Sequence, residues 1–221
     1  MSKSAILYDG PSEYTGNRIK AYITIKSNNK KTGDMHNISM LSMFDTPVKA
    51  AKAGQDKDVC GSCRLRPING AGCYVCLFHG PRAIYDADVK RGNVKAFTPF
   101  TDPVRVQRHG TIGDPASLPK KVNITILKLA DRTLSYTHAW KEPKNAYLAG
   151  FCMASVHSQK EAVQAQKLGF RTFRVLAFAC QALMPGEILC LNTTHDKTCK
   201  ECQLCCGNQA KNGRNVAIVI H

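Results

Sequence analysis

The sequence predicts a single α/β domain, built as a parallel sheet or a partial (β/α) barrel and carrying two cysteine segments that bind metal. Three observations lead there. Strand and helix signals alternate through residues 103–180, and such alternation calls for parallel strands joined by crossover helices. The 221 residues are 43% hydrophobic, enough for one sizeable core, and no internal repeat or Gly/Ser linker divides them. Eleven cysteines fall largely into two groups, at 58–80 and 190–207, and a chain of this size needs no disulfide staples.

The elements follow in order. "IKAYITIK" (19–26) alternates apolar and polar residues as a strand does, and "SNNKKTGD" after it has turn chemistry. "DTPVKAAKAGQ" and "GPRAIYDADVKRGN" each place a proline near a first helical turn and a glycine at the end, which predicts two short helices flanking the first cysteine group. "PVRVQRHG" predicts a strand, "DPASLPKKVNITILKLADR" a helix of about ten residues, and "TLSYTHAW" another strand. The next unit has a strand at 154–157, a Ser158/Glu161 capping box, an Ala/Gln/Lys helix, Gly169 just past its end and a strand at 171–175.

Cys60 and Cys63 form one pair and Cys73 and Cys76 a second, with His79 in reserve. Two-residue gaps let both thiolates of a pair reach one centre, and two pairs complete a four-ligand set. Cys199, Cys202 and Cys205 have the C-x2-C-x2-C spacing that wraps a [4Fe–4S] cluster, with Cys190 as the fourth ligand. An iron–sulfur cluster is the favoured cofactor and zinc the alternative. Cys152 and Cys180 stand alone in apolar runs and read as core residues.

His109, His138 and His157 each fall at or just beyond the end of a predicted strand, and Asp114 lies in the loop after the first. In a parallel α/β fold those ends share one rim, where sites are built. His138, His157 and Asp114 are the catalytic candidates there. Arg108, His109 and Tyr136 are the candidates for binding an anionic substrate, and Asp114 has a competing role as a helix cap.

Lys and Arg total 31 against 16 Asp and Glu, a formal charge of +15. Eight thiolates with two Zn2+ ions would subtract four charges and leave about +11, so the basicity survives metal binding. That field attracts nucleic acid or another polyanion. The N-terminus lacks an apolar signal region and no run of eighteen apolar residues occurs, which predicts a cytoplasmic protein without membrane insertion.

The order "NNKKTGD", "CGSC…GCYV", "RHGTIGDP", "SYTHAW", "ASVHS" and "C…CKECQLC" resembles a group of tailed-phage proteins related to the mycobacteriophage gene-product-88 family. The matching positions are Asn29 and Lys31, Cys60, Cys63, Cys73 and Tyr74, Arg108, Gly113 and Asp114, Tyr136 and Thr137, and Ser155 and Val156. His157 stands where that pattern has an acidic residue, and Cys76 and Cys206 are additions to it. The resemblance implies a phage origin, hence the host cytoplasm, and a metal-bearing α/β fold; it implies no reaction.

Three function classes follow: a metal-dependent enzyme, a basic nucleic-acid-binding protein with structural zinc, and a phage protein that binds and modulates a host protein. The C-x3-C-x2-C loop of radical enzymes is missing, and aromatic residues make up only 7% of the chain, which offers little for base stacking.

Overall fold

The computed structural model describes residues 4–27, 29–70, 72–98, 104–210 and 213–219; of the segments read above, Asn28, Ala71 and Pro103 lie outside them. Strands β1 (Ser4–Pro11), β2 (Arg18–Thr24) and β3 (His36–Ser42) come first. Helices α1 (Pro47–Lys52), α2 (Lys57–Cys60) and α3 (Gly80–Tyr85) follow, and α3 continues into a wider turn over Asp86–Lys90. Next are β4 (Val104–Ile112), α4 (Lys120–Leu127), β5 (Ala130–Thr137), β6 (Met153–Val156), α5 (Gln159–Lys167) and β7 (Thr172–Leu176). The chain closes with β8 (Glu187–Leu189), α6 (Leu191–His195), α7 (Cys199–Cys202) and β9 (Asn215–Val219).

These strands make one sheet in the order β1-β2-β3-β4-β5-β6-β7-β9-β8. The first three are antiparallel neighbours and every later pairing is parallel. From β3 to β7 each strand lies beside its predecessor in sequence, as crossover helices require. Helices α4 and α5 then cover the same face of β4–β7. Gln107 donates to the Ile126 carbonyl at 2.8 Å and His109 meets Asn123 at 2.7 Å, while Ala162 and Ala165 share a core with Ala154 and Val156.

The opposite face of β4 and β5 receives the C-terminal segment. Met35, Val106, Leu134 and Cys206 form its buried core. Because β6 first pairs with β5 at Tyr136, two earlier β5 amides have no strand partner there. Ser135 N–H donates to the Cys205 carbonyl at 2.9 Å and Thr133 N–H to Gln209 Oε1 at 2.9 Å, so residues 205–209 fill the gap.

Several elements differ from those the sequence pattern predicts. β1, β3, β8 and β9 were not anticipated, and α4 has eight residues. β4 extends to Ile112, which places His109 inside a strand instead of at its end. Ser158 accepts from Glu161 N–H as expected, but the Glu161 carboxylate takes the His157 amide; the reciprocal capping box is at Thr198 and Glu201. Cys152 is buried as expected, whereas Cys180 lies beyond β7 and is exposed. Among the described residues no helix is long and apolar enough to cross a membrane.

Candidate functional site

Helix α2 delivers Cys60 to the C-terminal end of β3, the first strand of the parallel series. Its Asp58 is 1% exposed and accepts hydrogen bonds from Ser42 on β3 and from Thr15 and Asn17 on the β1–β2 connection. Gly61 then turns the chain at φ 52°, and a Cβ there would lie 2.6 Å from the Tyr14 ring. The glycine of "CGSC" is thus required twice, for its left-handed conformation and for the close approach of Tyr14.

Cys60, Cys63 and Cys73 line one small, solvent-open cavity, together with apolar side chains such as Met40, Val59 and Ile112. Burial holds the Cys60 thiol well above the usual range, with Cys63, Asp56 and Cys73 adding to it, and burial likewise raises Cys73. Among the described residues no three His, Cys, Asp or Glu side chains converge closely enough to hold a single metal ion. Cys76 is exposed, and so is His79, so neither expected fourth ligand points into the buried set.

The rim residues meet this cavity. His138 Nε2 lies 3.4 Å from Cys63 Sγ, and its Nδ1 lies 3.8 Å from Asp114 Oδ2. Burial alone would lower the His138 pKa; Asp114 and Cys63 overcome it and hold the imidazole up at about 10. Asp114 also accepts the Ala116 amide, the cap role anticipated for it, and the His138 amide at 2.6 Å. The rings of His138 and His157 stack with centroids 6.2 Å apart, and His157 Nε2 is buried with no partner among the described residues. Burial and the neighbouring His138 lower the His157 pKa.

The remaining candidates lie elsewhere. His109 is fully buried under α4, and Arg108 and Tyr136 point to the other face of the sheet, with the C-terminal cysteines. The Arg108 guanidinium packs 4.8 Å from the Tyr136 ring centroid, and its Nη2 donates to Tyr74 Oη at 3.4 Å. Tyr136 also packs on Phe173 at 4.3 Å. Burial lifts the Cys199 thiol while Arg108 pulls it down; burial drives Cys205 up to about 12 against a hydrogen bond with Tyr136. For Cys202, burial and the neighbouring Cys190 and Cys199 act upward.

The structure therefore regroups the candidates. Cys60, Cys63 and Cys73 join His138, Asp114 and His157; Cys190, Cys199, Cys202 and Cys205 join Arg108 and Tyr136. Tyr14 is a neighbour of the site that no local pattern marks, since only long-range folding brings it to Cys60 and Asp114. No protein-family profile, curated protein or solved structure matches the chain.

Proposed function

We propose that this is an iron–sulfur protein whose cluster sits on Cys60, Cys63 and Cys73 in the cavity beyond β3, and that it is a metal-dependent enzyme for an anionic substrate. One observation carries the reading: three thiols line a single cavity without converging on one point. Four ligands around one zinc ion, at about 2.3 Å for each Zn–S bond, draw thiolates to roughly 3.8 Å from one another. A polynuclear cluster spreads its ligands wider and fills the space between them. Iron–sulfur is thus favoured over zinc at this set on geometry.

The chain's own residues define what surrounds such a group. Three thiolates are one fewer than the usual four, which leaves a position for substrate. His138 stands against Cys63 and is held in orientation by Asp114, so it is placed to donate a proton beside the site. The formal charge of +15 supports an anionic substrate, and the tailed-phage resemblance makes a viral role part of the same proposal.

Anaerobic purification tests the reading. The expected product is brown, contains iron and acid-labile sulfide, and loses part of both in Cys63→Ser. Stoichiometric zinc without iron, together with salt-sensitive binding to nucleic acid, would instead favour a nucleic-acid-binding protein with structural zinc.

A further inference from the structure

Arg108 is 6% exposed, and no carboxylate among the described residues pairs with it. A guanidinium does not give up its proton, and a buried charge without a counter-charge is strongly unfavourable. Its neighbours are the Tyr136 ring, the Tyr74 hydroxyl and the Cys199 thiol, all neutral when protonated. Among the described residues gathered here, the thiols are the groups that become anionic on binding a metal.

The backbone explains why the thiols gather. Cys190 stands at the N-cap of α6, which ends at Asp196 with φ 51°. The single turn of α7 puts Cys199 and Cys202 three residues apart on one side, and Gln203 at φ 52° sends the chain back toward the sheet. Cys205 is then fixed by its carbonyl, which accepts from Ser135 N–H. On the far side, the Cys199 and Lys200 amides donate to the Lys31 and Thr32 carbonyls at 3.1 and 3.0 Å. The segment is held in place by these main-chain hydrogen bonds.

We propose that Cys190, Cys199, Cys202 and Cys205 form a second, fully protein-ligated metal–thiolate centre of net negative charge, with Arg108 as its buried counter-cation. The inference extends the metal-binding reading above to a separate set of residues. Four thiolates on a [4Fe–4S]2+ core, the cluster their spacing suits, leave a net charge of about −2, and Arg108 offsets half of it inside the fold. Tyr74 follows Cys73 directly and receives the Arg108 hydrogen bond, so Arg108 also ties the two cysteine sets together.

The test compares anaerobically prepared wild type with Cys202→Ser, Cys63→Ser, Arg108→Gln and Arg108→Lys. Iron, zinc and sulfide are measured, along with circular dichroism and the rate of metal release to a chelator. Cys202→Ser should lose about half the bound metal and Cys63→Ser the other part. Arg108→Gln should release the C-terminal metal roughly 10-fold faster or more, as loss of an outer partner does elsewhere, with Arg108→Lys closer to wild type. Should Arg108→Gln fail to fold, Cys202→Ser and Arg108→Lys still decide. Wild-type metal content in Cys202→Ser, or unchanged release rates in both Arg108 variants, overturns the inference. A preparation in which Cys63→Ser alone lowers the metal content defeats this centre and keeps the first; one in which Cys202→Ser alone lowers it does the reverse.

Discussion

Asp114 Oδ2 accepts the backbone amide of His138 at 2.6 Å, and this bond joins the loop after β4 to the end of β5. The same carboxylate caps the short helical turn at Pro115–Ser117 through Ala116 N–H. Since Asp114 is 3% exposed, water cannot replace it readily. Asp114→Ala should destabilise the protein by about 2–4 kcal/mol, the sum of a lost cap and a stranded amide. Asp114→Asn, which keeps acceptors, should cost less. Urea unfolding of the three proteins measures this, and a loss below about 0.5 kcal/mol for the alanine variant would contradict the assigned role.

His109 illustrates a residue type whose chemistry was legible but whose placement was not. A histidine ending a short strand looks like a rim residue, yet the hydrogen bonds extend β4 three residues further and turn His109 under α4. Asn123 fixes the tautomer. Its amide nitrogen donates to the Pro115 carbonyl and the Tyr147 hydroxyl, so its oxygen faces His109 Nε2–H, leaving Nδ1 unprotonated and without a partner among the described residues. The alternation from β4 to β7 was readable because each crossover carries its own caps and turns, such as Ser158 and Gly169. Strand β3 was not, because "HNISMLS" is buried on both faces and its alternation lasts only from Asn37 to Met40. The pairing of Cys63 with His138, 75 residues apart, lies beyond any local pattern.

The buried His109 should make stability depend on pH. Burial lowers its pKa to about 4 from the ordinary 6.5, against the Asn123 hydrogen bond and the Asp114 charge, which act upward. Between those values the unfolded chain binds a proton and the folded chain does not. Its contribution is therefore complete above about pH 6.5 and is lost as pH falls through 4, a change of about 3 kcal/mol. His109→Gln removes the titrating group, so its stability should fall less over the same range. Urea midpoints at pH 7 and 4.5 for both proteins check this; equal falls would show that other groups carry the dependence.

Arg174 and Glu187 form a two-point ion pair, Nε to Oε1 at 2.8 Å and Nη2 to Oε2 at 2.6 Å, with both side chains at 0% exposure. The pair links β7 to β8 across β9. Removing one partner strands a charge in the interior, so Glu187→Ala should cost roughly 3–5 kcal/mol. The double variant Arg174→Met with Glu187→Leu should be markedly more stable than Glu187→Ala, because neither charge is left unpaired. Thermal or urea unfolding of the two variants provides the measurement, and a double variant no better than the single one would show that the pair's hydrogen bonds, not its charges, dominate.

Gly207 seats the C-terminal cysteine segment against the Phe151–Cys152 backbone. It sits at φ 52°, and a Cβ there would lie 2.6 Å from the Phe151 carbonyl carbon and 2.7 Å from the Cys152 amide nitrogen. Those are backbone atoms and cannot rotate away. Its own carbonyl accepts from Arg171 Nη1 at 2.7 Å, and Cys206 beside it is fully buried. Gly207→Ala combines an unfavourable φ with a steric clash, so the segment should lift from β5 rather than the sheet deform. The expected loss is about 2–4 kcal/mol, confined to the C-terminal part of the fold. Limited proteolysis should then cut within residues 190–210 much faster than in wild type, while the Ser135 and Thr133 amides, no longer bonded to Cys205 and Gln209, exchange hydrogen sooner than the rest of β5. Wild-type cleavage rates together with slow exchange at those two amides would show that the segment is held chiefly by contacts other than the seat at Gly207.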